Sequence, residues 1–167
     1  MAIKLSEKYD FDVFEPLPEG WYILKVIDGE GKIKEHGGFH GKVKTQVDGG
    51  ESDGRFHFEN FSTRKNDGGE NELGCTALLA FLRKSGTAKE GQFTDSSQFE
   101  SAKFADGFGK NVGNKLYGAY LVPETTNQGK VMTKSKKYRT VAETQAEMKK
   151  PVGKDVTKPE EPRSSEW

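Results

Sequence analysis

The chain has 167 residues, 26 basic and 26 acidic, so its formal net charge is zero and no global field singles out nucleic acid as a partner. Hydrophobic residues make up 32% and charged ones 31%, with mean hydropathy at −0.81, which fits one ordered core with solvated ends rather than a chain packed throughout. The single cysteine, Cys75, excludes an intrachain disulfide and a cysteine-based zinc cluster, and no stretch has the apolar length of a signal core or a membrane span; a soluble protein of a reducing compartment is expected.

Met1 to Phe14 is a polar lead-in carrying Tyr9, Phe11 and Phe14. Pro16 and Pro18 hold the chain extended at a strand entry, and Trp21 to Ile27 is aromatic and β-branched. Alternation puts Trp21, Ile23, Lys25 and Ile27 on one face and Tyr22, Leu24 and Val26 on the other, so a strand covered on both sides is expected. Asp28 to Gly31 reads as a turn or bulge, after which Lys32 to Lys34 continues extended. In Phe39 to Val47, residues Phe39, Gly41, Val43, Thr45 and Val47 share one face, and His40, Lys42, Lys44 and Gln46 share the other. Arg55 to Phe61 alternates again, with Phe56 and Phe58 assigned to the apolar side and Arg55, His57 and Glu59 to the solvent side.

Asn71 caps a helix through Lys84, whose apolar stripe is Cys75, Leu78, Leu79 and Leu82. Phe93, Phe99, Phe104 and Phe108 lie in a polar stretch whose period selects neither helix nor strand. Lys115 to Val122 is a fourth strand, Asn127 to Gly129 a turn, and Lys130 to Val141 a basic fifth strand. Ala142 to Lys150 has room for a short helical turn, and Pro151 onward reads as a disordered tail. The expected division is lead-in 1–14, domain 15–141 and flexible tail 142–167. Charge is uneven: residues 1–30 are acidic, whereas 110–139 hold seven basic residues against Glu124 alone.

Catalytic patterns are poor. His36 and His40 are separated by Gly37 and Gly38, which does not suit a helical zinc pair, and the glycine-rich Gly107 to Gly113 lacks phosphate-loop spacing and reads as a flexible loop. Glu30-Gly31-Lys32 matches the Glu-x-Lys of some metal nucleases, with Asp28 the only close acid. No enzyme, cofactor or metal is expected. What remains is a strand face of lysines with aromatic rings beside it, the pairing that single-stranded nucleic acid requires: cations for phosphates and flat rings for bases. A solvated face or a protected edge strand has the same composition, and the residues alone leave both readings open.

Phe14 to Tyr22 (Phe-Glu-Pro-Leu-Pro-Glu-Gly-Trp-Tyr) resembles the opening of a tailed-phage early-region family of unknown function linked to phage single-stranded DNA-binding proteins. Gly54 to Phe61, the leucine-rich Leu73 to Leu82, Gly109 to Tyr120 and the basic last strand follow in similar order, over roughly Phe11 to Thr140. The resemblance implies a mainly β, OB-like five-stranded β-barrel with one packed α-helix and a disordered tail. It implies a role in phage DNA replication or recombination in the host cytoplasm, with the face of strands two and three as the DNA site.

The expectation is therefore a sequence-tolerant single-stranded DNA-binding protein. Lys42, Lys44, Arg55, His57, Lys130, Lys134, Lys136, Lys137 and Arg139 would hold the backbone, and Tyr117 and Tyr138 would stack on bases. Glu166 and Trp167 would dock a replication or recombination protein. The rival is a non-enzymatic phage factor that binds a host or replication protein through the same sheet.

Overall fold

A computed structural model describes residues 16–150. Five strands and three α-helices follow in the order β1 (Gly20–Ile33), β2 (Phe39–Val47), β3 (Phe56–Ser62), α1 (Glu72–Lys84), a 3-10 turn (Ser96–Phe99), α2 (Ala102–Val112), β4 (Leu116–Thr125), β5 (Val131–Arg139) and α3 (Val141–Met148). The strands form one antiparallel sheet ordered β3-β2-β1-β4-β5. β1 is its spine. A register shift between Val26 and Asp28 bends it, so Gly20 to Lys25 pairs with β4 while Leu24 to Ile33 pairs with β2. The sheet is not closed into a barrel: no ladder joins its edges, β3 and β5, among the described residues.

One face of the sheet is the core. α1 lays Leu78, Phe81 and Leu82 there, with the Phe81 ring 5.0 Å from those of Phe61 and Tyr117. Asn71 caps this helix as expected, its side chain accepting from the Gly74 amide. α2 covers the other half, where Phe104 and Phe108 meet Phe39 edge to face. The glycine-rich stretch expected to be a loop is thus the second half of a helix. Its reason is proximity: a Cβ on Gly109 would collide with the Gly29 carbonyl of β1, so only glycine lets helix and strand approach this closely.

The opposite, outer face is covered only in part. α3, within the segment expected to be flexible tail, lies over β4, and buried Thr144 fills the space a Gly118 side chain would occupy. A capping box starts it: the Thr140 amide and Lys84 hold the Glu143 carboxyl down to about 2. Beyond α3, Lys25 and Ile27 of β1 are exposed, so β1 is not buried on both sides as its composition implied. The expectations for lead-in 1–14, for the end of the tail, and for Glu166 and Trp167 fall outside the described residues.

Candidate nucleic-acid interface

β2 orients as its alternation requires, with Phe39, Gly41, Val43, Thr45 and Val47 buried and Lys42 and Lys44 exposed. Partners across an antiparallel pair share a face. Thr45 opposes His57, Val43 opposes Glu59 and Gly41 opposes Phe61, so those three β3 residues point into the core. The expected orientation of β3 is therefore inverted. His57 is 3% and Glu59 4% exposed, whereas Phe56 is 46% and Phe58 53% exposed. Buried polar groups beside exposed rings are the reverse of the usual pattern, and it is such inversions that carry information.

A hydrogen-bond network stabilises the inversion. Glu59 accepts from Tyr117 Oη at 2.7 Å, Ser135 Oγ at 2.7 Å and Tyr138 Oη at 2.8 Å, and its Oε2 lies 3.2 Å from His57 Nε2. Thr45 Oγ1 donates to the His57 carbonyl at 2.7 Å. Burial by itself would raise the Glu59 carboxyl, but the electrostatic pull and hydrogen bond of His57, with the hydrogen bonds from Tyr117 and Ser135, carry it below the usual carboxylate range. Burial, then the neighbouring Glu59 charge, pushes both tyrosine hydroxyls well up.

Tyr117 and Tyr138 are consequently 0% and 9% exposed, and the base-stacking role expected of them is closed to them. His57, expected to meet a phosphate, is enclosed as well. Arg139 donates to the Tyr138 carbonyl and sits 5.9 Å from the Trp21 ring, which also meets Tyr120 edge on. Arg55 sits beside Tyr22 just before β3, and Lys130 is exposed in the β4–β5 turn.

On the outer face the structure assembles Lys42 and Lys44 of β2 with Phe56 and Phe58 of β3. Lys44 lies opposite Phe58, and its ammonium stands 4.4 Å over the Phe56 ring. Neither lysine is in an ion pair among the described residues, although Glu30 and Asp28 of β1 oppose them and moderate the local charge. Toward the β1–β2 turn, burial first and then the charges of Lys34, Lys42 and Lys32 push His40 down, against an opposing pull from Glu30. A cavity of about 470 Å³ at that end of the sheet is lined by Lys34, Glu35, His36, Phe39, His40, Ser62, Arg64 and Asn66; the Arg64 guanidinium is already gripped by Glu100 at 2.9 and 3.1 Å.

Lys134, Lys136 and Lys137 of β5 are exposed, with Lys136 ion-paired to Glu124. Asp28, Glu30 and Lys32 share the outer face of β1, yet no group of three His, Cys, Asp or Glu side chains suited to a metal ion occurs among the described residues. Burial, then Glu100 and Glu70, raises the Cys75 thiol, which disfavours the reactive thiolate. No described helix is long and apolar enough to cross a membrane.

Phe56 and Phe58 are the residues that sequence reasoning missed. The signal was parity: Phe61, the largest apolar residue at the end of β3, falls in step with Glu59 and His57. No protein-family model matches the chain, and no curated protein is detectably similar to it.

Proposed function

We propose that this chain is a non-enzymatic, sequence-tolerant single-stranded DNA-binding protein whose binding face is the outer surface of β2 and β3. The observation that carries the reading is the pair of half-exposed rings, Phe56 and Phe58, set among Lys42 and Lys44. Rings on alternate strand positions present flat apolar surface to bases, and the lysines present charge to phosphates. The strand order β3-β2-β1-β4-β5, with a bent β1 shared by both halves and helices inserted between β3 and β4, supports an OB-like barrel left open between β3 and β5. In such folds the strand 2–3 face and the adjoining loops take oligonucleotides. The resemblance of Phe14 to Tyr22 to phage early-region proteins supports a setting in phage DNA replication or recombination, in the host cytoplasm, with Glu166 and Trp167 docking a partner.

Titration of a labelled oligo-dT, followed by fluorescence anisotropy at several salt concentrations, tests the reading. Binding should weaken by about 0.7 log units per neutralised phosphate for each tenfold rise in salt. The exposed phenylalanines also suit a protein partner, the second reading; binding to a protein with no salt-dependent affinity for oligo-dT would select it.

A further inference from the structure

The edges β3 and β5 approach each other without a ladder, and side chains join them. Ser135 and Tyr138 of β5 both donate to Glu59 of β3, and Ser135 Oγ also lies 3.1 Å from His57 Nε2. His57 sits between Phe56 and Phe58, and Ser135 sits between Lys134 and Lys136. Because neighbouring strand residues point to opposite faces, the hydrogen-bonded inner side of the seam has an outer counterpart. On that outer side, one lip carries two phenylalanine rings and the other carries lysines. The β4–β5 register shifts between Tyr120 and Leu121, which leaves Lys136 without a partner in the ladder and returns Lys137, paired with Tyr120, to the outer face beside Lys134.

We propose that Glu59 is a positioning residue for the binding face: its network fixes the lysine-bearing edge beside the phenylalanine-bearing edge, so that one DNA strand crosses the seam and engages both. The inference rests on the single-strand-binding reading above and specifies its path. Bases meet Phe56 and Phe58 on β3, while Lys134 and Lys137, which form no ion pair among the described residues, take phosphates on β5. Lys136, held by Glu124, contributes less.

The test measures oligo-dT affinity against salt for the full chain, for Glu59→Gln, for Lys134→Ala/Lys137→Ala, and for all three substitutions together. Losing two phosphate contacts should lower the salt slope by about 1.4, at about 0.7 per phosphate. Glu59→Gln should lose about that much slope while keeping wild-type circular dichroism, and adding the lysine substitutions should then change little. A folded Glu59→Gln chain with the full slope, or lysine effects that are the same in both backgrounds, would overturn the inference while leaving the binding reading in place. If Glu59→Gln does not fold, Ser135→Ala/Tyr138→Phe decides, since it removes both β5 donors and leaves Glu59 with His57 and Tyr117. The same slope loss supports the inference and an unchanged slope overturns it. No salt-dependent binding by the wild-type chain would remove both the inference and the reading beneath it.

Discussion

Removing the Glu59 carboxylate should be among the most destabilising single changes available in the β3–β5 region. Glu59→Ala leaves the Tyr117, Tyr138 and Ser135 hydroxyls without their acceptor and His57 beside an empty site. Hydrogen bonds to a charged group contribute about 1.5–3 kcal/mol each, but they share one acceptor and do not add. Leaving a buried donor unsatisfied costs about 1–3 kcal/mol, so orphaning three hydroxyls that share one acceptor should cost about 3–5 kcal/mol in total. Urea denaturation should show it as a lower midpoint at unchanged m-value, with Tm falling on the order of 10 °C. Replacing the acceptor together with the two tyrosine donors, as Glu59→Leu with Tyr117→Phe and Tyr138→Phe, should recover most of the loss, because the two groups that remain, Ser135 and His57, lie 3.1 Å apart and hydrogen-bond each other.

Acidity should act in the same direction. The folded Glu59 carboxyl lies below its ordinary 4.5, so its contribution is present above that value and disappears as pH falls through the lower folded one. The tyrosines, raised from 10.0, contribute below that pH and lose their contribution as pH rises through their folded values. A Glu59→Ala chain within about 1 kcal/mol of wild type at neutral pH, with the same acid limb, would refute the role assigned to the network.

Phe56→Ala/Phe58→Ala should reduce oligo-dT affinity by about 1–3 kcal/mol per ring and leave Tm nearly unchanged, because both rings are already half in solvent; anisotropy and a thermal melt read the two effects separately. Charge reversal at Lys134, Lys136 and Lys137 should abolish binding while the fold persists by circular dichroism, since their one ion pair among the described residues, to Glu124, is solvent-exposed and screened. Gly118→Val would place its side chain against Thr144, which should lift α3 from the sheet and cost about 1–3 kcal/mol in urea denaturation.

The positions of the strands, the capped α1 and the orientation of β2 could be read from local periodicity, because the buried set of β2 keeps one parity and the apolar set of α1 recurs at helical spacing. The orientation of β3 could not. Its phenylalanines fall on both parities, and the choice between burying Phe56 with Phe58 or Phe61 with Glu59 was made by the register with β2 and by hydroxyls more than fifty residues away in sequence. The same long-range step removed Tyr117 and Tyr138 from the surface. α2 was illegible for a related reason: glycines that lower helix propensity are needed there for contact with β1, and only the packed structure shows that need. Of the expected site, the exposure of Lys42 and Lys44 was legible because they alternate with Phe39, Val43 and Val47, whereas the rings beside them were assigned to the wrong side.

The most direct measurement is a two-dimensional amide NMR titration of the full chain with oligo-dT, alongside a duplex of equal length. Single-strand binding at the outer face predicts that oligo-dT shifts the amides of residues 40–46, 56–62 and 134–137, with the duplex producing weaker changes at equal concentration. No shifts at low salt, or shifts confined to α1 and α2, would contradict it.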